Sequence, residues 1–181
     1  SVNSAKLLFF TDRQQVYKSV AYEFDDTKAS VLGDYIPAKL GFDEDEHVVS
    51  MVVTTDFSGF VLFFFENGKV AKIPLSAYQT KTKRKKLANA YSGASPLAAV
   101  RAVTEEGEFM LISSNTRRLL FNTAMIASKS TRDSQGVAVM TQKKNCVLVK
   151  ALPYKEGELA NPHRYRTKTL PAAGMLPREE D

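Results

Sequence analysis

Cationic side chains are the residues of this sequence whose chemistry is easiest to define, because they recur in clusters with few acids between them. A lysine or arginine that neutralises a phosphate releases condensed cations, which gives a salt-dependent affinity for polyanions that is largely independent of base sequence. The densest cluster is the run 81–86. The candidate residues for such binding are Lys18, Lys69, Lys72, Lys81, Lys83, Arg84, Lys85, Lys86, Arg117, Arg118, Lys129, Arg132, Lys143 and Lys144.

The charges are distributed unevenly along the chain, although the net charge is only +5. Residues 1–60 hold five Lys/Arg and ten Asp/Glu, whereas residues 61–150 hold fifteen and five. A basic region of this kind is expected where one surface meets a polyanion. The acidic run Asp43–Glu46 lacks the ligand spacing and the glycine of a calcium loop, so we interpret it as a solvated loop. The run would repel DNA, or contact a catalytic core or a basic patch of a partner.

Catalytic and metal-binding constellations find no support in the sequence. His47 and His163 are the only histidines, and neither has a cysteine or a second histidine at the spacing of a zinc site. No glycine-rich loop ends in Lys-Ser or Lys-Thr, so a nucleotide-binding loop is absent. We therefore expect no catalytic residue, no metal and no cofactor in this chain. An enzyme with a site at the end of a small barrel is the weakest alternative.

The remaining composition is typical of a cytoplasmic globular protein. The single cysteine, Cys146, cannot form an internal disulfide, and its apolar surroundings favour a small buried side chain over a reactive thiol. The longest apolar run, 60–65, is far shorter than the roughly 20 residues that a membrane span needs. The first residues do not resemble a secretion signal.

The chain contains three similar units, each an apolar run, a tight turn and a second run that carries cations. These units are 6–18, 60–73 and 108–121. A further apolar run closes each unit, at 48–53, 98–103 and 147–151. The runs are short, β-branched and aromatic, so they predict strands. Asn67-Gly68 predicts a two-residue type I′ hairpin turn, which needs a positive φ at both residues.

Repeats of about 50 residues with several short strands each are typical of propeller-like blades. We predict an all-β fold, an array of about three four-stranded blades that form an open or shortened disc. The predicted blades are about 5–57, 58–106 and 107–153, and the predicted tail, 154–181, is extended or disordered. Most aromatic residues, such as Phe9, Phe63 and Phe121, lie within apolar runs and are expected in the core.

The repeats resemble a known family. Two stretches are similar to the blades of the C-terminal domains of bacterial type IIA topoisomerase A subunits, those of DNA gyrase and topoisomerase IV. They are residues 7–11 followed by Val16-Tyr17-Lys18, and residues 68–78 with their Gly, Lys and Tyr78. The resemblance covers roughly residues 5–152. It implies a β-pinwheel whose blades exchange hairpins, with a basic rim that bends or wraps double-stranded DNA beside the catalytic core.

The resemblance also implies partners and cofactors. The partners would be duplex DNA, the ATPase B subunit of the enzyme and the rest of the A subunit, in the nucleoid and not at a membrane. ATP and Mg would belong to the parent enzyme, and the strand-cleaving tyrosine would lie in another domain.

One departure from the family concerns the glycine-rich basic heptapeptide Gln-Arg-Arg-Gly-Gly-Lys-Gly of gyrase A subunits, which this sequence lacks. Its absence favours a topoisomerase IV-like parent over a gyrase. A propeller-like module that binds an acidic protein is the alternative function.

Overall fold

The computed structural model describes residues 5–20, 40–80 and 85–181. In these residues the chain forms short β-strands and three 3₁₀ helices. The strands are β1 (Lys6–Thr11), β2 (Val16–Val20), β3 (Val48–Thr54), β4 (Phe60–Phe65), β5 (Lys69–Pro74), β6 (Lys86–Leu87), β7 (Leu97–Val103), β8 (Glu108–Ser113), β9 (Arg118–Asn122), β10 (Val137–Ala138) and β11 (Leu148–Pro153). The 3₁₀ helices are Leu75–Tyr78, Thr123–Met125 and Pro162–Arg164.

The strands form three antiparallel sheets, which we call blades 1, 2 and 3. Blade 1 has the order β3-β1-β2-β6, blade 2 the order β10-β5-β4-β7, and blade 3 the order β11-β8-β9. Each blade contains a hairpin, β1–β2, β4–β5 or β8–β9. The first strand of the hairpin also pairs with the strand that closes its own repeat, β3, β7 or β11. The prediction of an all-β array of three blades is therefore confirmed, although blade 3 has three strands instead of four in the described part of the chain.

The fourth strand of blades 1 and 2 comes from the next repeat. β6 follows the hairpin of blade 2 in the sequence, but it pairs with β2 of blade 1, with Leu87 opposite Val16. β10 follows the hairpin of blade 3 and pairs with β5 of blade 2, with Val137 opposite Val70. Neighbouring blades therefore exchange single short strands, whereas the resemblance implied an exchange of hairpins. We call the edge formed by β2, β5 or β9 the exchange edge of its blade.

The core lies between the blades, because each hairpin strand buries side chains on both faces of its sheet. Between blades 1 and 2, the ring of Phe10 meets those of Phe63 and Tyr78 edge-on, with centroids 5.5 and 5.2 Å apart. Between blades 2 and 3, Phe64 packs against Phe109 at 5.4 Å. Burying one such side chain stabilises the fold by roughly 1.5–3 kcal/mol. The predicted core position of the aromatic residues is confirmed.

The β4–β5 turn differs from the predicted type I′ turn. The loop has three residues, Glu66 to Gly68, and the amide of Gly68 donates to the carbonyl of Phe65 at 2.9 Å. Positive φ is found at Gly68 (86°) and not at Asn67. The Asn67 side chain instead accepts from the amide of Lys69 at 3.0 Å. A three-residue loop needs the left-handed conformation at one position only, which is why the two-residue prediction was wrong.

The tail, residues 154–181, lies against blade 3. Tyr165 is buried and packs with Leu120 of β9, with Tyr154 and with Leu159. Isolated bridges join Leu120 to Arg166 and Arg118 to Met175. The tail is therefore extended along the exchange edge of blade 3.

Candidate nucleic-acid interface

The hairpin turns of all three blades lie at one end of their sheets, which we call the turn end. Lys69 and Arg117 occupy equivalent positions there, because the amide of each donates to the same kind of local cap. Asn67 Oδ1 lies 3.0 Å from the amide of Lys69, and Asn115 Oδ1 lies 3.2 Å from that of Arg117. Both cationic residues are half-buried. The predicted alignment of these two cations in the repeat therefore agrees with the structure.

Lys143 and Lys144 lie at the same end, in the loop that leads into β11. Two backbone hydrogen bonds fix this loop, from Leu148 to the carbonyl of Glu66 at 2.9 Å and from Ser114 to the carbonyl of Val147 at 2.7 Å. Lys143 and Lys144 are both exposed. The turn end of blades 2 and 3 is therefore a basic surface.

A second group of cations lies on the segments that cover the exchange edges. Lys85 and Lys86 are exposed at β6, on blade 1. Lys129 is exposed on the segment that covers blade 2, where its amide donates to the carbonyl of Lys72 at 2.9 Å. The exchange of strands thus places cations of one repeat on the edge of the preceding blade.

Lys86 has an acidic and an aromatic neighbour on blade 1. Its Nζ lies 3.7 Å from Asp43 Oδ1 and 5.5 Å above the ring of Tyr17. Its side chain is 43% exposed, so an ion pair of this kind contributes little to stability. Lys86 therefore stays partly accessible to solvent, beside the acidic side chain of Asp43.

The prediction of Lys72 as a DNA contact is wrong. Lys72 is only 5% exposed, and its Nζ donates to the backbone carbonyls of Thr123 and Ile126, both at 3.2 Å, and forms an ion pair with Glu106. It also lies 4.6 Å above the ring of Phe60. An ammonium group with these partners has no face left for a phosphate. The side chain instead joins blade 2 to the 3₁₀ helix of blade 3.

Lys18, at the equivalent repeat position, makes the equivalent contact. Its Nζ donates to the carbonyl of Tyr78 at 3.3 Å and to the hydroxyl of Thr80 at 2.6 Å. Tyr78 ends the 3₁₀ helix of blade 2. The regular recurrence of this lysine therefore reflects contact between blades, and the sequence pattern alone does not distinguish that from a row of surface charges.

Three predicted arginines use part of their guanidinium group within the fold. Arg132 donates to the carbonyl of Ala77 at 2.9 Å. Arg117 donates to the carbonyl of Gly174 at 3.1 Å, and Arg118 donates to the backbone oxygen of Asp181 at 3.1 Å. All three are half-buried. Lys81, Lys83 and Arg84 of the densest predicted cluster lie outside the described residues.

The acidic run of blade 1 is only partly the solvated loop that we expected. Asp43, Glu44 and Asp45 are exposed, but Glu46 is buried, with 4% exposure. Its carboxylate accepts hydrogen bonds from Gln15 at 2.8 Å and from Tyr17 at 2.7 Å.

Two further donors, the hydroxyl of Thr11 and the amide of Asp43, complete the environment of the Glu46 carboxylate. Burial, and next the hydrogen bond to Glu46, raise the pKa of Tyr17 well above its ordinary value. The interpretation of the whole run as solvated was wrong for Glu46, which organises the blade 1 hairpin.

The sequence pattern gave no sign of the cations in the tail. Lys168 is exposed and follows Thr167, whose amide donates to the carbonyl of Leu120 at 3.1 Å. Its position on blade 3 could not be foreseen, because the tail has no strand pattern. Arg166 lies beside it but pairs with Glu108, at 2.7 and 2.9 Å, and with Glu156.

The described residues contain neither a metal-ligand cluster nor a membrane-spanning helix. No three His, Cys, Asp or Glu side chains in residues 5–20, 40–80 and 85–181 are grouped as metal ligands would be. No helix in the same ranges is long and apolar enough to cross a membrane.

Comparison with known proteins by sequence gives the A subunits of DNA gyrase. The chain is 26% identical over 159 residues to the DNA gyrase A subunit of Streptomyces coelicolor, an alignment that covers 84% of this chain and 17% of that protein. It is 24% identical over 194 residues to the DNA gyrase A subunit of Metamycoplasma arthritidis, with 98% of this chain and 21% of that protein covered. The chain thus spans about a fifth of the curated relatives it matches. No family model matches the chain.

Comparison by structure gives C-terminal domains. The DNA gyrase A C-terminal domain superimposes with a TM-score of 0.66 at 16% identity, over 96% of this chain and 60% of that one. The C-terminal domain of DNA topoisomerase IV gives 0.68 at 22%, over 84% and 48%. The E. coli ParC C-terminal domain gives 0.70 at 11%, over 98% and 78%. The resemblance to the C-terminal domain of a type IIA topoisomerase A subunit is therefore confirmed.

Proposed function

We propose that this chain, which resembles the C-terminal domain of a type IIA topoisomerase A subunit in sequence and in fold, binds duplex DNA without base specificity and bends it along its basic surface. It would act as a non-catalytic accessory to the strand-passage machinery. The observation that carries the proposal is the placement of cations at two locations. Lys143 and Lys144 are exposed at the turn end, beside the half-buried Lys69 and Arg117, and Lys85, Lys86 and Lys129 are exposed on the segments that cover the exchange edges.

The repetition of these locations supports bending. Cations that lie on the edges of successive blades meet one continuous duplex only if the duplex follows the blades. Bending a site of 20–30 base pairs costs roughly 1–6 kcal/mol, which additional phosphate contacts must offset. Lys129, Lys143 and Lys144 are exposed cations of blades 2 and 3 with which to make them.

The opposite charge of blade 1 supports a direction for the path. Asp43, Glu44 and Asp45 are exposed at the turn end of blade 1, whereas Lys143 and Lys144 lie at the turn end of blade 3. Phosphates are attracted by the second group and repelled by the first. The duplex would therefore follow blades 2 and 3 and leave the surface before it reaches the acidic loop.

A topoisomerase IV-like parent remains our proposal over a gyrase, because the sequence lacks the glycine-rich basic heptapeptide of gyrase A subunits. The further proposed partners are an ATPase B subunit and the rest of the A subunit. The proposed location is the cytoplasm, at the nucleoid. ATP and Mg would act in the parent enzyme, outside this domain.

The experiment that tests the proposal is duplex DNA binding by the purified chain, measured by fluorescence anisotropy over a series of salt concentrations. We expect the logarithm of the binding constant to fall linearly with the logarithm of the salt concentration, with a slope of about −0.9 for each phosphate neutralised. Duplexes of the same length and different sequence should bind alike. An absence of binding at low salt would contradict the proposal and favour a module that binds another protein.

A further inference from the structure

The exchange edge of blade 3 is covered, although within the described residues no following repeat covers it. In blade 1 the edge is covered by β6, and in blade 2 by β10 and the segment before it. In blade 3 the same edge carries the tail: the amide of Leu120 donates to the carbonyl of Tyr165 at 2.8 Å, and the amide of Thr167 donates back to Leu120 at 3.1 Å. The tail thus takes the place that an exchanged segment takes in the other two blades.

The correspondence extends to single glycines. Gly136 has φ +83°, and a Cβ on it would lie 2.4 Å from the carbonyl oxygen of Val70. Gly174 has φ +76°, and a Cβ on it would lie 2.6 Å from the carbonyl oxygen of Arg118. Val70 and Arg118 occupy the same place in their hairpins, since each lies opposite the last paired residue of the preceding strand. Only glycine permits the backbone to approach so closely at such a φ.

The residue after each glycine also pairs alike. Val137 lies opposite Val70 in an antiparallel pair, and Met175 lies opposite Arg118 in an antiparallel bridge. The amides of Met175 and Arg118 each donate to the carbonyl of the other, both at 2.9 Å.

The match recurs two residues along each hairpin strand. The carbonyl of Lys72 accepts from the amide of Lys129 at 2.9 Å, and the carbonyl of Leu120 accepts from Thr167 at 3.1 Å. The tail and the exchanged segment therefore make the same backbone contacts at two separate points.

The hairpin residue at this second contact is a lysine in blades 1 and 2, where an exchanged segment covers the edge, and a leucine in blade 3, where the tail covers it. Lys18 and Lys72 extend to carbonyl oxygens at the 3₁₀ helix of the following blade. Leu120, the equivalent residue of blade 3, is fully buried against Tyr165 and other apolar residues of the tail. A lysine at this position needs acceptors from a following repeat, whereas a leucine needs an apolar cover.

We propose that the exchange edge of β9 is a seat for an extended segment and that this chain's own residues 165–175 occupy it as a mimic of an exchanged strand. The tail thereby closes blade 3 where a further repeat would otherwise dock. Arg166 fixes it through a bidentate pair with Glu108, at 2.7 and 2.9 Å. Leu120 selects the tail over an exchanged segment, because it replaces the lysine that joins one blade to the next.

The first test replaces Gly174 by alanine in the full chain and follows amide hydrogen exchange. The amides of Arg118 and Leu120, which donate to the tail, should exchange at least tenfold faster, while the amide of Leu111 in β8 keeps its protection. Gly157→Ala is the matched control: Gly157 also lies in the tail with a positive φ, of +97°, but a Cβ there meets nothing within 4 Å. Gly136→Ala should have the corresponding effect on blade 2.

Equal exchange at Arg118 and Leu120 in the Gly174→Ala and Gly157→Ala variants would overturn the proposal. So would a loss of protection at Leu111 as large as that at Leu120, because the tail would then be an ordinary part of one cooperative unit.

The second test uses Leu120→Lys, with Leu120→Met as the control of similar volume. We expect the lysine variant to release the tail, so that limited proteolysis cleaves between Glu156 and Met175 at least tenfold faster than in the parent chain. The freed edge should also give concentration-dependent self-association in light scattering. A tail that stays protected in Leu120→Lys would contradict the selection by Leu120; if this variant unfolds altogether, the Gly174→Ala experiment decides.

Discussion

Lys72 Nζ lies 3.2 Å from the carbonyl oxygen of Ile126, so a charged side chain of blade 2 caps the end of a 3₁₀ helix in blade 3. The same ammonium group pairs with Glu106, whose other carboxylate oxygen accepts from the hydroxyl of Thr123. Glu106 and Thr123 belong to the loop before β8 and the turn after β9. One lysine therefore ties together two segments of the neighbouring blade.

Replacing Lys72 by methionine should lower stability without reducing the number of DNA contacts. The substitution removes the ammonium donor from the carbonyl oxygens of Thr123 and Ile126, of which Thr123 still accepts from the amide of Ile126, and the loss costs about 1–3 kcal/mol. Urea unfolding measures this loss. Lys69→Met is the matched control on the same strand, since Lys69 is half-buried and its backbone amide, not its side chain, donates to Asn67.

The two variants should differ in the salt dependence of DNA binding. Lys69→Met should make the slope of the salt dependence shallower by about 0.9, the contribution of one phosphate contact. Lys72→Met should leave the slope unchanged. If Lys72→Met gave a shallower slope and unchanged stability, Lys72 would contact DNA from an exposed position, against the buried position described above.

Acid should weaken the contact between blades 2 and 3 through Glu106. Burial alone would raise the pKa of this carboxyl, but the hydrogen bonds from Lys72 and Thr123 and the charge of Lys72 outweigh it, so the pKa lies below its ordinary value of 4.5. A carboxyl with a lowered pKa in the folded state stabilises the fold above its unfolded pKa and loses that contribution as the pH falls through the folded pKa. The loss should therefore occur below about pH 4.5.

Glu106→Gln isolates this contribution. Its unfolding free energy should be lower than that of the parent chain near pH 7, and the difference should shrink on acidification as the parent carboxyl takes up its proton. Denaturant unfolding at several pH values measures the difference. A difference that is constant from neutral to acid pH would mean that Glu106 acts through its shape and not through its charge.

The sequence predicted the three hairpins and their closing strands, because short apolar runs bounded by turn residues are local signals. It did not predict that Lys72 is buried, since the acceptors on Thr123 and Ile126 come from a segment about 50 residues away. The burial of Glu46 escaped for the same reason: its donors on Thr11 and Tyr17 lie on the opposite side of a long connection. In the sequence alone, a charged residue that is buried against a distant segment looks the same as a charged residue in solvent.

The acidic loop of blade 1 should separate into one structural and two replaceable residues. Glu46→Gln places an amide group where the carboxylate accepts from two donors on each oxygen, so it should cost about 1–3 kcal/mol of stability. Glu44→Gln and Asp45→Asn remove the same charge from exposed positions and should change stability by less than about 0.5 kcal/mol. Asparagine also tolerates the positive φ of 60° at Asp45.

Thermal unfolding and DNA binding of these variants distinguish the two roles. The Glu44→Gln and Asp45→Asn pair should bind DNA at least as tightly as the parent chain at low salt, because a repulsive charge is removed. Weaker binding by this pair would argue that the acidic loop contacts the duplex through a bound cation, against the repulsion that we propose.

The basic turn end of blade 3 should account for a countable part of the DNA affinity. Lys143 and Lys144 lie beside each other in the loop before β11, so replacing both by alanine should make the salt slope shallower by about 1.8, which corresponds to two phosphate contacts. Lys155 is the matched control, because it is also exposed but follows the other end of β11. Lys155→Ala should leave the slope unchanged if the duplex follows the turn end. Equal effects of the two variants would mean that phosphate binding is spread over both ends of the blade, and the bent path along the turn end would then be wrong.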